Sequence, residues 1–297
     1  MGRPAATLLA MMTWPDGPVL CGIDFSSDSH HAWTMARTLA HQLDRPLLVV
    51  TAVDPLLAEA GRAKYGNQFA DENAASDLAR FLLEGDAVAQ DFTTLVEIGA
   101  PAESLLRAAH EHHASLIVVG TRGLGRTKRL FFGSTALKIL RSTDRAVLAV
   151  PHAADAHAAR FDHIVCGIDF SEPSLNAARA AVELGRCLSA PVHLVHAVAR
   201  IAVPQTWDAL AVSAVDQRVA EATSRLKEVA TTLGGATPSV SVQVGDVADV
   251  IAEATSEHPS TLIVLGLDGR DGHRPGTHAY RILIEAKAPV MAVPRPK

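Results

Sequence analysis

The chain is written twice. "VLCGIDFS" at 19–26 returns 145 positions later as "IVCGIDFS" at 164–171, and "RPLLVVTAV" at 45–53 returns at the same offset as "APVHLVHAV" at 190–198. "VEIGAPAESLLRAAHEHHASLIVVG" at 96–120 corresponds to "VQVGDVADVIAEATSEHPSTLIVLG" at 242–266, the offset having grown by one. "GSTALKILRSTDRAVLAVP" at 133–151 corresponds to "GTHAYRILIEAKAPVMAVP" at 276–294. A repeat this long means one domain present in two copies, and 297 residues leave each copy enough chain for a core of its own. The seam falls in "HAADAHAARFDH" at 152–163, an alanine- and histidine-rich run without core periodicity. The expected layout is an N-terminal extension over 1–17, a first domain over 18–152, a linker over 153–160 and a second domain over 161–297.

Within each copy short β-branched runs alternate with helical patterns. In the first, strands are expected at about 18–24, 46–53, 92–98, 115–120 and 146–150. Between the first two, Ala32, Ala36, Leu39, Ala40 and Leu43 share a helical face, with Ser26, Ser27 or Asp28 as the cap. Leu78, Phe81, Leu82 and Val88 signal another helix, and Val212, Val215, Val219, Ala222, Leu226, Val229 and Leu233 its clearer counterpart. Strand and helix in alternation make βαβ units and a parallel sheet covered on both faces. The fold class is α/β, with two tandem doubly wound Rossmann-like domains.

Hydrophobic residues make up 48% and charged residues 20%, so disorder is not expected. With a net charge of −5 no global basic field draws the chain to nucleic acid or to an acidic membrane, so any polyanion site is local. Three cysteines cannot all pair, and Cys21 and Cys166 sit in apolar runs, which favours a reducing cytoplasm. The apolar run in "MGRPAATLLAMMTWP" is short for a signal peptide, and Met11 or Met12 competes as the first residue.

Ligands of open parallel sheets bind beyond the carboxyl ends of the strands, where the winding reverses. Asp24 ends the first strand and Gly120 the fourth. A carboxylate there can accept hydrogen bonds from an amine or from ribose hydroxyls, or it can simply cap the next helix. In "VVGTRGLGRTKRLFFGST" at 118–135, Gly120 and Gly123 allow close approach of backbone N–H groups and φ > 0. Gly133-Ser134 opens the last helix, whose free N–H groups attract an anion. Arg122, Arg126, Lys128 and Arg129 add basic charge with no acid among them. Together these read as a phosphate cradle, against the plainer reading of a solvated basic loop.

The spacing G120-x2-G123-x9-G133-S134, after a strand ending in Asp24, resembles the ATP-binding signature of the universal stress protein family, and the resemblance runs from about Val19 to Pro294. It implies a five-stranded parallel sheet in the order 3-2-1-4-5, pairing of domains through their last strands, and a stress-response or regulatory role. ATP or another adenine nucleotide would be the ligand, with Mg2+ as companion ion. By position, Asp24 would meet adenine or ribose, the backbone of Ala52 the adenine edge, and Gly120, Arg122, Gly123, Gly133, Ser134 and Thr135 the ribose and phosphates, supported by Arg126, Lys128 and Arg129.

The second copy keeps Asp169, Ala197, Gly266 and Gly269 in place, but only six residues separate Gly269 from Gly276-Thr277. Asp268 stands where the first copy has Arg122, and an acid beside phosphates opposes binding. The second site is therefore expected to be degenerate, binding weakly or not at all, or taking a ligand with fewer phosphates.

His110, His112 and His113 end a helix, but adjacent histidines diverge by about 100° on a helix, and no metal site is expected. No Ser-His-Asp or Cys-His spacing and no G-x4-G-K-[ST] loop occurs, so no residue is assigned to catalysis. A slow ATP hydrolase or adenylyl-transferring enzyme, and an interaction protein with vestigial sites, remain as alternatives. The segments 54–70 and 199–211 read as variable loops or lids over the site. Finally, "AVLAV" at 146–150 and "PVMAV" at 289–293 would be open edges in isolated domains, so the two are expected to pair antiparallel within the chain as a pseudo-dimer. Whether two chains form a homodimer is left open.

Overall fold

A computed structural model describes residues 16–65, 74–83, 92–123, 132–152, 160–202, 204–258, 260–267 and 277–295. In the first copy the apolar runs become β1 (Val19–Ile23), β2 (Leu47–Val53), β3 (Phe92–Ile98), β4 (Leu116–Gly120) and β5 (Ala146–Val150). The helices are α1 (Ser27–Gln42), α2 (Pro55–Tyr65), α3 (Ala74–Leu83), α4 (Pro101–Glu111) and α5 (Ser134–Ser142). The second copy contributes β6 (His163–Gly167), β7 (Val192–Val198), β8 (Ser239–Val244), β9 (Thr261–Gly266) and β10 (Val290–Val293). Its helices are α6 (Glu172–Leu188), α7 (Asp208–Thr232), α8 (Val247–Ser256) and α9 (Thr277–Glu285), with a short 3-10 turn at Gln205–Trp207 before α7.

All ten strands join one sheet in the order β3-β2-β1-β4-β5-β10-β9-β6-β7-β8. Within each copy neighbours run parallel in the order 3-2-1-4-5, and at the centre β5 and β10 pair antiparallel, with Val147 opposite Ala292 and Leu148 opposite Met291. On one face the core joins Val19, Ala36, Leu39 and Leu148 to Leu184, Val264 and Met291. On the other, Leu20, Leu105 and Ile139 continue into Ile251 and Val290. Both cores thus cross the β5–β10 seam without a break.

Local chemistry explains where the helices begin. Ser26 is in extended backbone, and its hydroxyl accepts from the Ser29 N–H at 3.2 Å, capping α1. Removing such a cap costs about 1 kcal/mol. Ser171 caps α6 in the same way, accepting from Ser174 N at 3.3 Å. Of the expected α1 face, Ala32, Ala36, Leu39 and Ala40 are buried. Leu78 and Leu82 are buried on α3, while Val88 lies outside the described residues.

Two segments read as loops prove partly helical. Residues 55–65 form α2, started by Asp54, whose carboxylate accepts from Leu56 N at 2.8 Å. In the second copy α7 begins at Asp208, inside the segment 199–211.

Candidate functional site

The winding reverses between β1 and β4, which pair in parallel with Cys21 opposite Val118. Beyond their carboxyl ends lies a crevice of about 240 Å³. Its lining contains all eight residues of the expected first site: Asp24, Ala52, Gly120, Arg122, Gly123, Gly133, Ser134 and Thr135. Arg126, Lys128 and Arg129 lie outside the described residues. Gly22, Pro101 and Leu105 are among the other residues of its walls.

Asp24 reaches the crevice through a strained turn. Phe25 takes a left-handed conformation, φ 62°, and Phe170 repeats it at 64° in the second copy. Such a backbone costs an L-residue roughly 1–2 kcal/mol. The turn lets Asp24 Oδ1 accept from the N–H of Ser26 at 3.0 Å and from its hydroxyl at 2.5 Å, while Oδ2 faces Gly123. The two readings of Asp24 are therefore compatible: one oxygen orders the entry to α1 and the other points at the glycine turn.

The glycines serve a different purpose from part of that expected. Neither Gly120 nor Gly123 has a positive φ; among the described residues the positive-φ glycines are Gly17, Gly99, Gly234 and Gly235. What excludes a side chain is proximity. A Cβ on Gly120 would lie 2.8 Å from the Asp28 carbonyl carbon, and one on Gly123 would lie 2.6 Å from Asp24 Oδ2. A Cβ on Gly133 would lie 3.1 Å from the Thr121 oxygen, and the Gly133 N–H donates to that same oxygen at 2.6 Å.

No side chain caps α5, whose N-cap is Gly133, so its first N–H groups and positive dipole end open towards Ser134, Thr135 and the crevice. Arg122 stands across from them, its Nε donating to Asp28 Oδ2 at 3.2 Å. Asp28 Oδ1 in turn lies 3.1 Å from His152 Nδ1. Sequence reasoning missed this network. Asp28 read only as a cap candidate, and nothing in a local pattern ties it to an arginine 94 positions away.

The corresponding crevice of the second copy is smaller, about 110 Å³, and Asp169, Ala197 and Gly266 line it with His196 and His278. Gly269 and Gly276 lie outside the described residues, and Thr277 opens α9. Asp169 repeats the Asp24 turn, accepting from Ser171 N at 2.9 Å and Ser171 Oγ at 2.5 Å. Burial pushes its carboxyl up, but the bonds from Ser171 and Ser174 outweigh this and hold it below the usual carboxylate value. Pro173 packs against Gly266 as Asp28 packs against Gly120.

A larger cavity of about 520 Å³ follows the groove between α8 and α9 to the amino ends of β9 and β10. Ala288 lines it where the first copy has Arg145, whose Nη1 donates to Ala114 O at 2.7 Å. Its lining contains no glycine turn, so the candidate site is the crevice between β1 and β4.

The first copy is thus a doubly wound α/β domain with an acid-bearing turn after its first strand and a glycine turn after its fourth. The model of the universal stress protein family matches residues 17–151 and again 160–294, and the chain belongs to that family. It is 32% identical over 135 residues to a universal stress protein of Thermus aquaticus, covering 44% of this chain and 96% of that one. A universal stress protein structure from Archaeoglobus fulgidus, 17% identical, covers 94% of this chain and 98% of its own with a TM-score of 0.61. A third, solved in complex with cAMP, is 26% identical and covers 46% of this chain and 98% of its own, with a TM-score of 0.35.

Proposed function

We propose that the first copy binds ATP or another adenine nucleotide, with Mg2+ on the phosphates, and that the protein is a nucleotide-dependent regulatory module of the stress response. The carrying observation is the convergence of three kinds of group on one crevice: the Asp24 carboxylate, the Gly120–Gly123 turn with Arg122, and the uncapped start of α5. A carboxylate suits an exocyclic amine or ribose hydroxyl, and a helix N-terminus beside an arginine suits phosphate. Ala52 lines the same crevice, and its backbone would then meet the edge of the base. The second copy, with a smaller crevice and Asp268 in place of Arg122, binds more weakly or not at all. The two copies act as a pseudo-dimer, and the protein works in the cytoplasm. Among the described residues lining the first crevice there is no histidine and no acid besides Asp24, whose Oδ1 is engaged by Ser26, so retention of nucleotide is favoured over turnover.

The test is to extract nucleotide from the purified protein and count it, beside a Gly133→Ala/Ser134→Ala double variant. About one adenine nucleotide per chain, lost in the variant, is expected. Two per chain would overturn the assignment of the second copy. Steady release of ADP would favour the slow hydrolase, and no binding on titration would favour an interaction protein with vestigial sites.

A further inference from the structure

The geometry points to a proton-linked control of the first crevice: Asp28 competes with a ligand's phosphate for Arg122, and protonation of His152 releases the arginine to the ligand. This rests on the reading of the crevice as a phosphate site and adds to it a regulatory group that does not touch the ligand.

Asp28 is 4% exposed in the first turn of α1, and its two oxygens face different basic groups, Arg122 Nε at 3.2 Å and His152 Nδ1 at 3.1 Å. Arg122 lines the crevice, whereas His152 lies just beyond β5 and is half exposed. While His152 is neutral, Arg122 is, among the described residues, the one positive charge paired with a carboxylate withdrawn from water. Moving Arg122 onto a phosphate would then leave that carboxylate buried and unpaired, which is strongly unfavourable. A protonated His152 takes over the compensation. Phosphate binding and proton uptake at His152 therefore favour each other, and the coupling is reciprocal.

The second copy shows the same corner built without this linkage. Arg295, the counterpart of His152, pairs with Glu172 in the first turn of α6, and Asn176, the counterpart of His31, donates to Pro294 O at 3.0 Å. Pro173 and Asp268 stand in place of Asp28 and Arg122, so both members of the competing pair are gone. The first copy instead places two histidines at the corner, the rings of His31 and His152 being 5.2 Å apart and nearly perpendicular. Among the described residues the charged and titratable groups around Asp28 and His152 are Arg122 from the turn after β4 and His31, with His30 beside it, from α1. Burial and the neighbouring His152 hold His31 below the ordinary histidine value, against the opposing pull of the Ser27 carbonyl and Asp28.

The experiment is calorimetric titration of the full chain with ATP and with adenosine at about pH 6 and about pH 8, in wild type, His152→Gln and Asp28→Asn. A terminal phosphate itself titrates near pH 6, so the readout is the difference between wild type and His152→Gln. Wild type is expected to gain about fivefold more ATP affinity on acidification than His152→Gln, with adenosine unaffected. Asp28→Asn is expected to bind ATP about tenfold more tightly at the higher pH and to lose the dependence on His152. Equal pH profiles for wild type and His152→Gln, or weaker ATP binding by Asp28→Asn, overturn the proton linkage while leaving the nucleotide site standing. Failure of both ligands to bind overturns the site and the linkage together. Should Asp28→Asn fail to fold, the comparison with His152→Gln decides alone.

Discussion

At the scale of single residues, the first crevice depends on contacts too close for any added atom. Gly123 lies against Asp24 Oδ2 so tightly that one methyl group must push the carboxylate away. Gly123→Ala is therefore expected to weaken adenine-nucleotide binding about tenfold, roughly 1.4 kcal/mol, with circular dichroism and melting temperature nearly unchanged. Asp24→Asn should cost a similar factor while keeping the Ser26 turn, because an amide oxygen can still accept those two bonds. Unaltered affinity in both variants, read by titration calorimetry, would remove Asp24 from the site. Glycine spacing and a terminal acid made these positions legible in the sequence, since both are local signals attached to strand ends. The Asp28–Arg122 pair was not legible, because it joins elements that only the β1–β4 neighbourhood brings together. The role of Gly120 and Gly123 was half legible: a glycine signals either a left-handed backbone or a close approach, and its letter does not say which.

At the scale of elements, the enclosed strands were readable almost to the residue because a strand covered on both faces is a continuous apolar run. α2 was not, since it hides little: Leu56 and Leu57 are 77% and 59% exposed, and the helix follows from the Asp54 cap and good helix formers rather than an apolar stripe. A second departure from pattern sits at the amino ends of β6 and β7, where His163 stacks on His258 with ring centroids 4.2 Å apart and His193 lies 6.3 Å from His163. The first copy has Pro18 and the buried Leu48 in place of His163 and His193. Burial, then His258 and His193, hold His163 below the ordinary histidine value against the pull of Asp162; burial, then His258, do the same for His193. The unfolded chain then binds more protons than the folded one below about pH 6.5, so these groups subtract stability as pH falls through that value. His193→Leu is expected to reduce the drop in urea midpoint between about pH 7.5 and pH 5.5. An equal drop in variant and wild type would show that the cluster is not a source of acid sensitivity.

At the scale of the whole molecule, the seam between copies is a piece of core rather than a linker contact. β5 and β10 are buried along their length, Leu148 and Met291 face each other with no exposure, and both hydrophobic layers pass through the pair. Leu148→Ala should accordingly cost about 3 kcal/mol and lower the melting of the whole chain in one transition, not of the first copy alone. The sheet's remaining edges are β3 and β8, where the burial pattern loosens and Glu97 on β3 pairs with Arg107 of α4, so the apolar edge has been moved to the middle and the polar ones left outside. Cutting the chain at His152 undoes that arrangement by exposing β5, whose five residues are all buried in the full chain. Two such fragments can restore it by pairing β5 with β5, because an antiparallel pair of identical strands satisfies a twofold axis. The fragment ending at His152 is therefore expected to elute as a dimer in light-scattering chromatography, and Leu148→Lys within it to give monomers prone to aggregation. A fragment that stays monomeric and folded would mean that the edge is protected by other means, and that pairing of the copies is not what the apolar β5 sequence serves.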